Sequence, residues 1–340
     1  MSKTSRRTFI SSGAALAVSA ALPRIANAQA PITMRISSSM SADQNAAHYL
    51  WYERFAANLQ KAVGDKVKLA YFPDSQLGKE ADIVQQVKVG SIDMMITGSS
   101  IWATVAQEFG MLDLGYVFDS YPHCFKALDG GVGDKLSKIL NDKTGCTVLG
   151  WAAHFGPRSV YTKKPVKNLA DLKGVKLRVL PAPAFIETFK IMGAIPTPIP
   201  INELYTALQT GVVDGFEHDT ASTLQYKFAE ITKNCWLTEH LFSPMIAVIG
   251  KRGMDKVPAD LRAAFMRAAQ EATVYERGIG AQKGAAATDE LKKMGVAFSP
   301  MAKAERDQVR KEMEAKVWAA FVKDNPSTQE LFNAINAARS

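Results

Sequence analysis

The sequence predicts an α/β protein made of two blocks of strands and helices. Three observations carry this. Short apolar strands alternate with helices along most of the 340 residues, the order that builds parallel sheets. A Gly156-Pro157 break separates two such blocks and marks a candidate domain crossing. An Ala-rich helix, expected from Pro258 to about Met294, reaches ~50 Å at 1.5 Å per residue, enough to lie across both blocks.

The first block opens with a strand at Thr33–Ser37. A helix from about Asp43 to Val63 follows, with Leu50, Trp51, Phe55, Leu59 and Val63 near helical spacing and Gly64 ending it. Asp43 suits its cap, and His48 lies near the rim. Val67–Phe72 is the second strand. Pro73-Asp74 turns the chain into a helix carrying Ile83, Val84 and Val87, stopped by Gly90. Asp93–Ile96 is the third strand, and Thr97-Gly98-Ser99-Ser100 lies at its carboxyl end, before another helix. A small polar loop opening a helix offers backbone N–H groups to an anion. It lacks the GxxxxGK[ST] pattern of a nucleotide loop. Helical runs near Tyr121–Leu128 and Asp134–Lys143 lead to a strand at Thr147–Ala153.

The second block is organised around Asp171–His218. In Val175–Leu180, Val175, Leu177 and Val179 share one face, and Lys176 and Arg178 share the other. A helix runs from Pro183 to Met192 and stops at Gly193. A second, Asn202–Thr210, is capped by Asn202 and stopped by Gly211. Val212–Glu217 returns as a strand. Ligands gather outside the carboxyl ends of parallel strands, which puts Arg178 and the Glu217-His218 pair near such a rim. An arginine there is a natural fork for a carboxylate. A helix over Thr220–Phe228 and an extended Glu230–Thr238 follow. Met245–Gly250 is an apolar strand read as returning to the first block. Phe298 lies in a last strand, and the tail is two amphipathic helices at about Ala302–Lys323 and Ser327–Ala338.

The formal charge is +8, but four positive charges (Lys3, Arg6, Arg7, Arg24) fall in residues 1–28, which hold no acid. The remaining body is too mildly basic to argue for nucleic acid. Residues 1–28 have the order of a secretory signal: paired Arg6-Arg7, an apolar run from Gly13 to Leu22, then Ala26-Asn27-Ala28. A twin-arginine type signal is expected, with a mature chain from near Gln29. Cys124, Cys146 and Cys235 are odd in number and lack metal spacing; buried thiols are expected in preference to a Cys124–Cys146 bridge, which export would permit.

Three motifs occur in order: Ser75-Gln76-Leu77-Gly78, Leu172-Lys173-Gly174-Val175-Lys176-Leu177-Arg178-Val179, and Glu203-Leu204-Tyr205-Thr206-Ala207-Leu208-Gln209-Thr210-Gly211-Val212-Val213-Asp214-Gly215. In these the chain resembles the solute-binding proteins of tripartite ATP-independent periplasmic (TRAP) transporters, the DctP-like family. The resemblance implies a two-domain flytrap with a hinge and a long helix bridging both domains. Domain I is expected at 29–155 plus about 243–283, and domain II at 156–242 plus about 284–340. It further implies a periplasmic monomer that captures a small organic acid through an Arg–carboxylate clamp. The acid would then pass to the TRAP membrane permease subunits, with no ATP hydrolysis. Apart from the resemblance, the residues themselves lead to no expected cofactor, metal site or nucleic-acid partner.

Carried over by position, Arg178 is the clamp and Arg158 a second ligand arginine. His218 stands where many members have Asn. Thr97, Ser99 and Ser100 lie where sugar-acid binders carry charged side chains, and Ile201 where an aromatic is common. Phe155 and Phe216 are expected to wall the pocket, and Asn202 to contact the ligand. Glu217 is expected to orient a neighbour, because adjacent strand residues point to opposite faces. The competing reading, an exported α/β enzyme acting on an organic acid, finds no G-x-S-x-G, H-E-x-x-H or metal-spaced His/Cys cluster.

Overall fold

A computed structural model describes residues 30–339, so the signal-peptide expectation lies outside the described residues. The strands, in chain order, are β1 (Ile32–Ser38), β2 (Val67–Phe72), β3 (Met94–Gly98), β4 (Thr147–Ala153), β5 (Arg158–Thr162), β6 (Lys176–Val179), β7 (Ile195–Pro198), β8 (Gly215–His218), β9 (Asn234–Leu241), β10 (Pro244–Ile249) and β11 (Ala297–Pro300). They form two sheets, ordered β2-β1-β3-β10-β4 and β11-β9-β5-β8-β6-β7. Each sheet is the floor of one lobe.

Both sheets are mixed rather than purely parallel. β1 runs parallel to β2 and β3, and β6 parallel to β7 and β8. β10 is antiparallel to β3 and β4, and β5 is antiparallel to β8 and β9. β5 and β10 are the strands that have just crossed from the other sheet. They enter at the rim where the parallel strands end, so they run back against them. A fully buried apolar strand such as Pro244–Ile249 carries the same pattern in either direction, and sequence cannot choose between them.

The chain passes between the sheets at residues 154–157, at Phe242-Ser243, and through a long helix, Arg262–Lys293. That helix starts later than the expected Pro258, because residues 259–261 form a turn first. Its 32 residues span ~48 Å. Its first half packs on the helix Ala47–Val63: Phe55 meets Phe265 edge-on at 5.1 Å, and the Trp51 indole N–H donates to Thr273 at 2.9 Å. Its last turns carry Leu291 into the core of the second lobe, beside Phe216 and Phe228. Midway it has no side chain to interpose. Gly280 faces the Phe155 ring, and a Cβ on Gly284 would stand 2.8 Å from the Phe155 carbonyl oxygen. The crossing segment at Phe155-Gly156 therefore lies directly on the helix backbone.

The helix Ala47–Val63 begins four residues later than expected, and Asp43 instead caps a local turn by accepting the Asn45 N–H at 2.7 Å. The C-terminal helical run lies against both lobes. The Trp318 indole N–H donates to the Gly115 carbonyl at 3.2 Å, while Glu305 accepts the Leu169 N–H at 3.0 Å. Cys124, Cys146 and Cys235 are buried and free. Among the described residues no helix is long and apolar enough to cross a membrane.

Candidate functional site

A small cavity of about 30 Å³ lies between the two sheets, at the carboxyl ends of their parallel strands. The first lobe supplies Ser39 and Met40 after β1, Gly98 and Ser100 at the end of β3, and His154 just past β4, with His48 and Glu80 from the first two helices. The second lobe supplies Arg158 at the start of β5, Arg178 from β6, His218 at the end of β8, and Tyr226. Both antiparallel entries, Arg158 and Ser243, reach the rim at their amino ends. A neighbouring groove of about 200 Å³ shares Glu80, Ile101, Arg178 and Ile201 with the cavity and includes Asn202.

The lobes touch across this cleft. Lys79 pairs with Glu203 at 2.6 Å, Gln225 donates to Ser41 at 3.0 Å, and the Tyr226 hydroxyl donates to the Ser39 carbonyl at 3.0 Å.

The two arginines are prepared differently. Arg158 is 3% exposed and gives its Nε and a terminal nitrogen to the two oxygens of Glu217 at 2.6 and 2.7 Å. It also lies 5.3 Å from the Phe185 ring centre. Burial alone would raise the Glu217 carboxyl. Arg158, with the His240 imidazole 3.4 Å away, overrides this and holds it near 2. Glu217 sits on the face of β8 opposite His218, so its role is to fix Arg158.

Arg178 is 1% exposed, and its Nε donates to the Ile199 carbonyl at 2.7 Å. One terminal nitrogen, Nη1, is buried with no partner among the described residues. Burial lowers this guanidinium to about 10, with Glu217 partly offsetting the effect. A buried donor without an acceptor is costly, and cation and cavity together suit an anion entering the cleft.

Three imidazoles also face the cavity. His48 and His154 have ring centres 5.6 Å apart, and His154 and His218 6.4 Å apart. All three are depressed, burial being the largest cause; His154 falls to about 4. His48 and His154 are therefore neutral at pH 7. His218 Nδ1 lies 2.8 Å from Asp219, whose carboxylate is held well below its usual range, burial being outweighed by His218. His48 Nδ1 bonds the Ser38 hydroxyl at 2.9 Å, and its Nε2 has no partner among the described residues. No cluster of His, Cys, Asp and Glu suited to a metal occurs among the described residues.

Of the residues expected from sequence, Arg178, Arg158, His218 and Ser100 line the cavity. Phe155 and Phe216 do not. Phe155 follows His154, so its side chain points the other way, onto the long helix. Phe216 lies one pleat back from His218, stacked on Tyr161 at 5.1 Å and meeting Phe228 at 4.9 Å. Thr97 and Ser99 are buried beneath the wall: Thr97 donates to Glu80 at 2.6 Å and Ser99 to Asp113 at 3.3 Å. Asn202 faces the neighbouring groove and does not cap its helix, which follows Pro200. Sequence reasoning had placed His48 near a rim but missed Glu80, His154 and Tyr226. His154 carries a usable signal, since it ends a strand at the crossing. Glu80 and Tyr226 sit on helical segments whose facing is set by tertiary packing.

Comparison with known proteins follows the same lines. The family model "bacterial extracellular solute-binding protein, family 7" (DctP) matches residues 37–324. The 2,3-diketo-L-gulonate-binding periplasmic protein YiaO of Escherichia coli is 33% identical over 293 residues, covering 86% of this chain and 88% of that protein. The C4-dicarboxylate-binding periplasmic protein DctP of Rhodobacter capsulatus is 27% identical over 286 residues, 83% of either chain. A TRAP periplasmic solute-binding protein from Xanthobacter autotrophicus, solved with β-D-galacturonate, superposes with a TM-score of 0.83 at 28% identity, covering 90% of this chain and 100% of that one.

Proposed function

Because the chain belongs to the bacterial extracellular solute-binding protein family 7, we propose that its cleft captures a small organic acid and that Arg178 clamps the carboxylate. The observation that carries this is the buried, unpartnered Nη1 of Arg178 on the cavity wall. A bidentate arginine–carboxylate pair gains strength where water is excluded. Arg158, held rigid by Glu217, supports the same end of the ligand. His218, Ser100 and Asn202 contact the rest of it or its entry path.

In this reading residues 29–155 with about 243–283 move as one lobe and 156–242 with about 284–340 as the other, hinged at the three crossings. The lobes close on the acid, and only ligand that binds the closed form better shifts that balance. The protein works in the periplasm as a monomer and hands the acid, chemically unchanged, to TRAP permease subunits. A thermal-shift screen of organic acids tests the reading. At least one acid is expected to stabilise the protein, and Arg178→Ala to abolish the shift. Mass spectrometry of the released acid checks that it is not turned over.

A further inference from the structure

We propose that Glu80 makes this site selective for an acid with a single carboxylate and a hydroxyl at its far end, and that it rejects the matching dicarboxylate. The inference rests on the binding function proposed above and names its ligand class.

Arg178 and Glu80 face the same cavity from different lobes. The cavity and the groove beside it thus have a cation on one wall and a carboxylate on the other. The Ser39 and Thr97 hydroxyls both donate to one oxygen of Glu80, at 3.0 and 2.6 Å. These bonds fix the carboxylate and aim it as an acceptor. The neighbouring cation, Lys79, is taken by Glu203 at 2.6 Å across the cleft mouth. Arg158 is likewise taken, bidentately, by Glu217. A second ligand carboxylate would therefore meet Glu80 with no uncommitted cation beside it. Like charges placed together at a binding surface reject a wrong partner strongly.

A hydroxyl fits the same place. It donates its one proton to Glu80 and accepts from the otherwise unpartnered Nε2 of His48. A neutral imidazole offers either role according to its tautomer. An ammonium can only donate, and it finds fewer uses for these imidazoles. Glu80 also borders the open groove at the cleft mouth, so water screens it and it requires no cation from the ligand.

Matched pairs differing only at the terminal carbon test this: D-erythronate against meso-tartrate, and D-galactonate against galactarate, titrated calorimetrically with the full mature chain. In the pair whose length fits, the monocarboxylate is expected to bind at least about tenfold tighter, and Glu80→Gln to shrink that ratio several-fold while keeping the unliganded melting temperature. Glu80→Ala checks that the effect follows the charge. Equal or tighter binding of the dicarboxylate overturns the proposal, as does an unchanged ratio in both variants or tighter binding of the corresponding amino acid. Dicarboxylate binding that Arg178→Ala abolishes sinks the selectivity alone. Failure of every acid to bind, or binding indifferent to Arg178, sinks the organic-acid function as well.

Discussion

Arg158 and Glu217 meet in parallel at 2.6 and 2.7 Å, both buried, at the point where β5 enters the second sheet beside β8. Such a pair adds little net stability, because desolvating both charges offsets their attraction. Breaking one side is different. Glu217→Ala leaves a buried guanidinium alone and is expected to cost about 3–5 kcal/mol, read as a lower urea midpoint. The double replacement Arg158→Met with Glu217→Leu is expected to lose less than Glu217→Ala alone.

Arg178 carries no such internal carboxylate. Arg178→Ala is expected to leave stability near the wild-type value and to weaken acid binding by about 2–5 kcal/mol, at least ~30-fold. Arg178→Lys restores the charge but not the fork, so calorimetry should show only partial recovery.

Acid is expected to weaken the fold in two steps. His154 has its pKa lowered from 6.5 to about 4, so the unfolded chain takes up its proton first. Stability present above pH 6.5 is lost as pH falls toward 4, on the order of 3 kcal/mol for this residue. His48 and His218 act in the same direction. Glu217, lowered from 4.5 to about 2, adds a second loss as pH falls through that range. Denaturation curves from pH 7 to 3 check this, and His154→Asn should flatten the upper step.

Glu276 predicts the opposite slope. It lies buried in the long helix, one oxygen accepting the Ala153 N–H at 3.0 Å and the other unpartnered among the described residues. Burial raises its pKa from 4.5 to about 8. The folded state therefore holds a proton the unfolded state releases, and stability falls as pH rises from 4.5 to 8. Glu276→Gln keeps the acceptor and removes the titration. It is expected to raise the melting temperature at pH 8 by roughly 2–4 °C per kcal/mol recovered, with little change at pH 5.

The glycines of the long helix should respond in opposite senses. A Cβ at Gly278 meets nothing within 4 Å, so Gly278→Ala should stabilise by about 0.5–1 kcal/mol through helix propensity. Gly284→Ala drives a Cβ to 2.8 Å from the Phe155 carbonyl oxygen and should destabilise despite the same propensity gain. Paired melting curves distinguish them.

Strand ends were the most legible part of the sequence. Arg178 and His218 sit on short strands whose carboxyl ends must form a rim, and the rim is where the cavity lies. Depth was not legible. Phe216 and His218 share a strand face, yet one pleat separates a core ring from a wall imidazole, and only the Tyr161 and Phe228 packing decides which. Strand direction was hidden for the same kind of reason. Pro244–Ile249 is buried throughout, so its composition reports burial and not polarity. Glu80 was hidden because a carboxylate in the first turn of a helix has an ordinary role there.

The place of β10 has a consequence for biogenesis. Among the described strands, β4 is hydrogen-bonded to β10 and to no other, although about ninety residues separate them. While the chain emerges from the ribosome, the first sheet must wait with β3 and β4 unjoined until residues 244–249 appear. A fragment ending at the first crossing would present two open edges, which invite association with other chains. The two lobes are thus expected to mature together, as a single late event rather than one after the other.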